Sequence, residues 1–353
     1  MKKRIIAAFA AVCMAFSAAG CGNGNTAAGG DAAASGDSSV SGKVVIYTSM
    51  YEDIIDDMEK ELEKQFPNLD VEFFQGGSGT IQSKIAAEMD SGKLGCDLLM
   101  VAEPSYSLEL KDAGILHPYK FADADKLVFD YDDEGYWYPV RVCNMVLAYN
   151  PEKYSRDQVP ASFKDFAENA DMKGYLSMSN PLTSGTAYSS VEALLDKYGE
   201  EYFKALNAQN VAIESGSVAL TKLETGECKE IMVLEESVLK KREEENSALE
   251  VIYPEDGCIP IPSTIMIVDE AHCANNNIAA AEAVENFFLS PEGQKMIVKG
   301  WMYSVRSDVA EYPYDAVPLS DMMKNTLPVD WEKCYKQREE IRTMFQNNVT
   351  IPG

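Results

Sequence analysis

The sequence is poor in the residues and motifs that most enzyme and metal sites require. Its 353 residues include only two histidines, His117 and His272, and the eight cysteines form no CxxC pair. It contains no GxSxG, P-loop or HExxH motif. These absences argue against the hydrolases, nucleotide-binding enzymes and metalloproteases that depend on such patterns. We expect a protein that is not an enzyme, with both histidines in loops and with no catalytic residue, resident metal or cofactor.

Basic residues are also scarce. The chain has 31 Lys and Arg residues against 57 Asp and Glu residues, a formal net charge of −26. A negatively charged surface repels nucleic acid and anionic lipid, so neither is an expected partner. Carboxylate pairs are so common in an acidic chain that they do not indicate a glycosidase.

The longest apolar run lies at the N-terminus, from Ile5 to Ala19, behind three basic residues. It is short for a permanent membrane helix and predicts a signal peptide over residues 1–20. The small residues 18–20 before Cys21 resemble the lipobox of bacterial lipoproteins, although Ala18 stands where that pattern usually has Leu. Cys21 is therefore the predicted lipidated residue. The alternative is an ordinary cleaved leader followed by an unrelated cysteine.

Residues 21–42 are nearly all small or polar and predict a flexible tether. The rest of the chain is long enough to form two lobes. With 46% hydrophobic residues overall, the sequence is also apolar enough to do so. Six cysteines remain after Cys21, and their spacing implies no disulfide framework. Cys96 and Cys143 lie in apolar, strand-like sequence and are interpreted as buried thiols.

The body begins with alternating strand and helix patterns. Residues 44–47 predict a strand, residues 55–66 an amphipathic helix, residues 69–74 a second strand, and residues 97–101 a third. A further helix with Ile81, Ile85 and Met89 on one face precedes the third strand. This alternation predicts a parallel α/β sheet with ligands at the carboxyl ends of its strands.

Two segments combine hydroxyl side chains with glycine ahead of a predicted helix. They are the turn from Gln75 to Thr80 and the stretch from Asn180 to Tyr188. Glycine allows close backbone approach, and free amides at a helix start favour an anionic or strongly polar group. Each segment alone also fits a capped turn without a ligand.

Six stretches in this order resemble the type II periplasmic binding proteins of ABC importers, the family that serves ferric iron, thiamine, phosphonates and sugar or glycerate phosphates. The stretches are Tyr47-Thr48-Ser49, Gly77 to Thr80, Asp97 to Tyr106, Ser184-Gly185-Thr186-Ala187-Tyr188, Tyr253-Pro254-Glu255-Asp256-Gly257 and Leu289-Ser290-Pro291-Glu292-Gly293-Gln294.

The resemblance implies two Rossmann-like α/β lobes joined by a two-strand hinge. We expect the strands to cross near residues 141–150 and 253–266. Residues 43–142 and 262–325 would form the first lobe and residues 143–261 the second. Residues 326–353 would be a helical segment that braces both.

The resemblance also implies a set of ligand-binding positions, carried over residue by residue. These are Thr48, Ser49, Ser78, Gly79, Thr80, Glu103, Ser184, Gly185, Thr186, Tyr188, Glu235, Glu236 and Tyr253, with Ser105 beside Glu103. Glu235 and Glu236 would bind an ammonium group or hydroxyls, or else form a solvated helix start. Arg141 would contact an anion or pair with a neighbouring acid.

Two solute classes stay open. A small phosphorylated or phosphonate-bearing compound fits two hydroxyl-rich helix starts. Ferric iron would need tyrosinate ligands, for which Tyr47, Tyr51, Tyr188 and Tyr253 are the candidates, although the Tyr-Tyr pair common in ferric receptors is missing.

The resemblance implies an exported protein, held on the outer face of the cell membrane only through lipidated Cys21, or in the periplasm of a Gram-negative source. Its partners would be a small solute and the transmembrane subunits of an ABC permease, and we expect a monomer. An alternative of another class is a solute sensor for a membrane kinase.

Overall fold

The computed structural model describes residues 37–351. The predicted signal peptide, Cys21 and most of the predicted tether lie outside the described residues. Residues 37–351 contain ten strands: β1 (Ser41–Thr48), β2 (Asn68–Gln75), β3 (Leu98–Ala102), β4 (Leu116–His117), β5 (Tyr138–Tyr149), β6 (Leu176–Ser179), β7 (Ala212–Glu214), β8 (Glu230–Leu234), β9 (Glu250–Ile252) and β10 (Ile259–Val268).

Helices alternate with these strands. They are α1 (Glu52–Gln65), α2 (Ser78–Met89), α3 (Pro104–Asp112), α4 (Phe163–Glu168), α5 (Gly185–Tyr198), α6 (Glu200–Ala208), α7 (Gly216–Thr225), α8 (Glu235–Glu245), α9 (Ile278–Leu289), α10 (Pro291–Lys299), α11 (Leu319–Met322), α12 (Trp331–Lys336) and α13 (Arg338–Asn348). Within the described part of the chain, none of these helices has the length and apolar character needed to cross a membrane.

The strands form one mixed sheet in the order β2-β1-β3-β10-β5-β8-β6-β7. β1 pairs in parallel with β2 and β3, and β6 pairs in parallel with β7 and β8. Between these two groups, the long strands β5 and β10 run antiparallel to each other and to their outer neighbours. The result is the predicted α/β fold, in which two lobes are joined by a two-strand hinge.

The side chains of the two hinge strands show where the chain passes from one lobe to the other. In β5, Val140 packs in a core of the first lobe, whereas Val142 and Met145 pack in two cores of the second. In β10, Ile261 packs in the second lobe and Ile265 in the first. The crossing therefore lies at Arg141 on β5 and opposite it on β10, where the pairing register shifts between Ser263 and Thr264.

The sequence patterns at the start of the body are confirmed, since β1, α1, β2, α2 and β3 follow in the predicted order. The first hinge strand begins at Tyr138, close to the predicted position. The second begins at Ile259, later than predicted, because residues 253–258 form a turn. His117 lies in the short strand β4 and not in a loop, since its backbone pairs with Ile267 of β10.

The C-terminal helices touch both lobes. α12 packs against α3 of the first lobe, and α13 packs against α5 and α6 of the second. Arg338 at the start of α13 forms an ion pair with Glu109 of α3. Tyr188 of α5 donates a hydrogen bond to the carbonyl of Cys334, at 2.7 Å.

The turn before β10 has a structural role. The Asp256 carboxylate accepts hydrogen bonds from the amides of Phe163 and Lys164, both at 3.0 Å, and from the Tyr198 hydroxyl at 2.6 Å. The two amides belong to the first turn of α4, which has no partners for them within the helix. Asp256 thus fixes α4 and α5 to the turn that leads into the second hinge strand.

We predict that Asp256→Ala lowers the free energy of unfolding by about 1–3 kcal/mol, because two helix-start amides and a tyrosine hydroxyl lose their acceptor. Thermal or denaturant unfolding measures the change. Glu255→Ala is the matched control, since this neighbouring side chain is exposed. Equal stability of the two variants would contradict the role given to Asp256.

Candidate functional site

A cavity of about 600 Å³ lies between the lobes and meets the hinge. The first lobe contributes Ser49, Tyr51, Gln75, Gly77, Ser78 and Ala102; the hinge strand β5 contributes Arg141 and Cys143; and the second lobe contributes residues that follow β6, β7 and β8. The cavity thus collects the carboxyl ends of strands from both lobes, where parallel α/β sheets bind ligands. Its size suits a small organic molecule.

Three helices that begin at this cavity share one sequence pattern at their starts: Ser78-Gly79-Thr80, Ser184-Gly185-Thr186 and Ser215-Gly216-Ser217. The Ser184 and Ser215 hydroxyls cap α5 and α7 by accepting from the amides of Ala187 and Val218. The first amides of such helices lack partners within the helix and carry partial positive charge. Three helix starts around one cavity favour an anionic group there.

Two glycines allow the lobes to touch at the cavity rim. The Gly79 amide donates to the carbonyl of Thr183, at 3.2 Å, across the two lobes. A Cβ atom at Gly79 would lie 3.0 Å from that carbonyl oxygen, and one at Gly185 would lie 3.1 Å from the Glu103 and Ser78 side chains. A larger residue at either position would therefore push the lobes apart. The Tyr51 and Ser237 hydroxyls make a further contact between the lobes, at 2.6 Å.

Charged side chains line the cavity next to the hinge. Arg141 is 3% exposed and Glu236 is 2% exposed, yet both belong to the cavity wall. Burial raises the pKa of the Glu236 carboxyl to about 7, and the positive charge of Arg141 opposes this shift. Lys240 and Lys241 of α8 line the cavity as well, and Lys241 is ion-paired with Glu224 and Glu245.

Several predicted site residues meet at this cavity: Ser49, Ser78, Ser184, Thr186 and Glu236 all line it. The Ser49 hydroxyl also accepts from the Ala102 amide, at 3.1 Å, and so ties the end of β1 to the end of β3. Gly79 and Gly185 lie beside the cavity, and their lack of a side chain allows the lobes to approach each other closely. The alternative that Glu236 belongs to a solvated helix start is wrong, because this residue lies at a helix start but is buried.

The other predicted site residues are directed elsewhere. The Thr48 hydroxyl accepts from the Met50 amide, and Thr80 is exposed outside the cavity lining. Glu103 is bound by Ser105 and Gln82 and faces Arg338, and burial raises its pKa to about 7. It lies beneath the contact between the lobes, not in the cavity wall.

Glu235 differs sharply from its neighbour. Its carboxylate accepts hydrogen bonds from Asn144 at 2.7 Å, from Tyr303 at 3.2 Å and from Tyr253. The Tyr253 hydroxyl is thereby occupied, and it also accepts from the Val317 amide. Glu235 and Tyr253 form a buried polar network behind the cavity, so neither faces a ligand there.

The four tyrosines considered for ferric iron do not converge. Tyr47 donates to Glu88, Tyr188 to the Cys334 carbonyl, and Tyr253 to Glu235. Of the four, Tyr51 alone lines the cavity, and its hydroxyl meets Ser237. Among the described residues, no group of three His, Cys, Asp or Glu side chains is arranged to hold a metal ion.

The third helix start, at Ser215, was not among the predicted site positions. Glu214, Ser215, Gly216 and Ser217 line the cavity, as do Asn180, Ser237 and both lysines of α8. The signal was available, because Ser215-Gly216-Ser217 repeats the pattern of the two segments already singled out. The strand before it, β7, has three residues and gives no period-2 pattern that would draw attention to its end.

Residues 96–336 match the family model of the bacterial extracellular solute-binding proteins. Among solved structures, the chain is similar to the substrate-binding protein of an ABC transporter from Agrobacterium tumefaciens, with a TM-score of 0.77 and 17% identity over 88% of this chain and 95% of that one.

Two further structures have the same fold and different cargo. AfuA from Actinobacillus pleuropneumoniae, with fructose-6-phosphate bound, has a TM-score of 0.75 and 20% identity over 87% of this chain and 98% of its own. Iron-bound HitA from Pseudomonas aeruginosa has a TM-score of 0.72 and 20% identity over 87% and 99%. At this level of identity the likeness shows the fold alone.

We predict a pH dependence from Glu236. A carboxyl whose folded pKa is raised stabilises the protein fully below its unfolded pKa and loses that contribution as the pH rises through about 7. The stability of the empty protein should therefore fall from about pH 5 to pH 8, and Glu236→Gln should remove about 2 kcal/mol of that fall. Chemical denaturation across this range measures it. An unchanged slope in Glu236→Gln would contradict the assignment.

Proposed function

Because the chain belongs to the bacterial extracellular solute-binding proteins, we propose that it captures a small phosphorylated or phosphonate-bearing organic solute for an ABC importer. Proteins of this family bind small solutes and deliver them to ABC permeases. The observation that supports the solute class is the meeting of three Ser-Gly-Ser/Thr helix starts at one cavity.

The physical basis is the dipole of the helix starts, together with the first-turn amides other than those of Gly79, Ala187 and Val218, which have partners in the protein. A phosphate group accepts several hydrogen bonds, and amides at helix N-termini supply donors together with a favourable dipole. Such a site needs no basic surface, so it is compatible with the net charge of −26. The guanidinium of Arg141 and the ammonium groups of Lys240 and Lys241 lie at the same cavity, where the carboxyl groups of Glu214, Glu236 and Glu245 oppose their charge.

The placement of the tyrosines supports a phosphorylated solute over ferric iron. Iron(III) favours several phenolate and carboxylate oxygens around one point, whereas Tyr47, Tyr188 and Tyr253 each donate to a different partner. The related structures contain both cargo types and do not choose between them.

We extend the proposal to the rest of the molecule. The lobes are residues 43–142 with 262–325 and residues 143–261, residues 326–353 brace them, and the protein is a monomer whose lobes close on the solute. It is anchored outside the cell through lipidated Cys21. Mass spectrometry of the N-terminal peptide tests the anchor: a diacylglyceryl group on Cys21 is expected, and an unmodified Cys21 would refute it.

A thermal-shift screen tests the solute class. The metal-stripped protein is heated with phosphonates, sugar phosphates, phosphoglycerates, thiamine, polyamines and ferric iron, since a ligand of the folded state raises the melting temperature. We expect a shift with an organic phosphate or phosphonate. A shift with ferric iron alone, with a tyrosinate-to-iron absorption band, would overturn the solute class and leave the receptor assignment standing.

Variants at the helix starts test the site. Ser78→Ala and Thr186→Ala should each weaken binding of the phosphorylated ligand about tenfold, since each removes a hydroxyl from the cavity wall. The empty protein should keep its stability within about 0.5 kcal/mol. Ser83→Ala is the control, because this hydroxyl lies on the same helix α2 outside the cavity lining and donates to the Gly79 carbonyl. A large loss of apo stability instead would show that Ser78 and Thr186 are structural caps.

A further inference from the structure

The C-terminal helices α12 and α13 are attached to the two lobes in different ways. Cys334, Ile341 and Phe345 pack in a core of the second lobe, and the Tyr188 hydroxyl of α5 donates to the Cys334 carbonyl at 2.7 Å. In the described part of the chain, neither core of the first lobe contains a residue of these two helices. We call α12 and α13 the strap. Because apolar burial holds the strap on the second lobe, its contacts with the first lobe are of another kind.

The contacts with the first lobe centre on one arginine of the strap. The Arg338 guanidinium donates to Glu109 and, at 3.3 Å, to the Ser105 hydroxyl, and it lies 3.8 Å from the Glu103 carboxylate. Its central carbon is 5.9 Å from the centre of the Tyr106 ring. We call Glu103, Ser105, Tyr106 and Glu109 the α3 socket, because they lie on α3 or directly before it.

The α3 socket contains a buried acid that depends on this arginine. Glu103 is 1% exposed, and burial raises its pKa to about 7. The charge of Arg338 opposes this shift, whereas the charge of Glu109 adds to it. A buried carboxylate without a cation beside it is strongly destabilising. The contact between the lobes therefore buries Glu103, and Arg338 compensates for the water that this carboxylate loses.

Glu103 also has a backbone conformation that side chains disfavour. Its φ of 79° and ψ of 122° lie in the positive-φ range that favours glycine. Strain of this kind persists only where surrounding contacts hold it, and it is typical of sites that switch. Within the first lobe, Ser105 and Gln82 donate to the Glu103 carboxylate. The remaining contacts, with Gly185 and Arg338, come from the other side of the boundary between the lobes.

We propose, building on the lobe closure in the proposed function, that the strap is a releasable fastening: Arg338 in the α3 socket holds the lobes together in the empty protein. The lobes open when Arg338 leaves the socket, while the strap stays packed on the second lobe. Arg338 and the four socket residues lie outside the cavity lining. The strap therefore adjusts how readily the receptor opens at a place that the solute does not contact.

Other contacts between the lobes fit this role less well. The Trp301 indole donates to Glu243 at 2.6 Å, but this pair is exposed, and exposed charged contacts contribute little. The Tyr51 and Ser237 hydroxyls form a neutral hydrogen bond that water can replace on opening. The contact at Arg338, by comparison, is both charged and buried.

Hydrogen exchange of three glycine amides measures opening without any solute. Glycine-selective isotope labelling lets NMR follow Gly79, whose amide donates to a carbonyl across the two lobes. Gly76 donates to the Thr48 carbonyl within the first lobe, at 3.1 Å, and Gly174 to the Gln209 carbonyl within the second, at 2.7 Å. Exchange at Gly79 therefore reports separation of the lobes, whereas exchange at the other two reports unfolding of each lobe.

Removing the arginine should open the lobes. Arg338→Met should speed exchange of the Gly79 amide about 10- to 100-fold, because closure then buries Glu103 with no cation beside it. The amides of Gly76 and Gly174 should change less than about twofold, since each lobe stays folded. Adding Glu103→Gln to Arg338→Met should reverse part of the acceleration, because the buried group is then neutral.

Two further variants make the test specific. Glu109→Gln removes one partner of Arg338 and leaves Glu103 paired, so it should speed Gly79 exchange about two- to fivefold and keeps the test valid if Arg338→Met does not fold. Arg342→Met is the matched control. This arginine lies one turn further along α13, and its contacts are with the Tyr188 ring and Glu339. Its loss should leave Gly79 exchange within about twofold.

The failure of the strap and the failure of lobe closure give different results. Unchanged Gly79 exchange in both Arg338→Met and Glu109→Gln, or equal acceleration by Arg342→Met, would overturn the strap and leave the proposed function standing. If Gly79, Gly76 and Gly174 exchange only together in the unaltered protein, the lobes do not separate as units. That result would count against lobe closure in the proposed function as well as against the strap.

Discussion

The pairing of β5 with β10 is the constraint on which the rest of the molecule depends. Each of these strands places side chains in the cores of both lobes, so neither can slide without exposing apolar surface at both ends. Arg141 sits where β5 changes lobes, next to the shift in register between Ser263 and Thr264. In the proposed closure, the lobes would move about this pair, so the helix starts would separate on opening while Arg141 and Cys143 would remain at the pivot.

Close contact between the lobes depends on glycine and on backbone groups. The Gly79 amide donates to the Thr183 carbonyl, and Gly185 lies against Ser78 and Glu103 of the opposite lobe. Because these contacts involve the protein alone, contact between the lobes has stabilising interactions that need no solute. In the proposed function, a solute would add to them and shift the lobes toward the form that it binds more tightly.

Much of the fold was predictable because it follows from local periodicity. Strands of five to eight residues and amphipathic helices of twelve or more gave clear patterns from β1 to β3. The site was predictable only in part. Ser184 and Thr186 are recognisable as part of a hydroxyl-rich helix start. Ser215 follows a strand that is too short to be recognised from the sequence.

Two adjacent residues at a helix start show which part of the site could not be predicted from the sequence. Glu235 and Glu236 have identical chemistry, and successive side chains on a helix point in directions about 100° apart. One enters a buried network with Asn144 and the other faces the cavity, and only the packing of α8 decides which. The positions of the four tyrosine hydroxyls could not be predicted for the same reason. Their separation along the sequence does not say in which direction each hydroxyl points.

The three Ser-Gly-Ser/Thr helix starts have a consequence for how such a receptor changes over evolutionary time. In the proposed function, they would bind the anion largely through peptide amides, which every residue except proline provides, so most substitutions there would weaken binding without abolishing it. The choice among anions would then rest on other side chains of the cavity wall. Affinity and selectivity would thus be encoded in separate parts of the chain, and a lineage could exchange one solute for another while the means of capture stays intact.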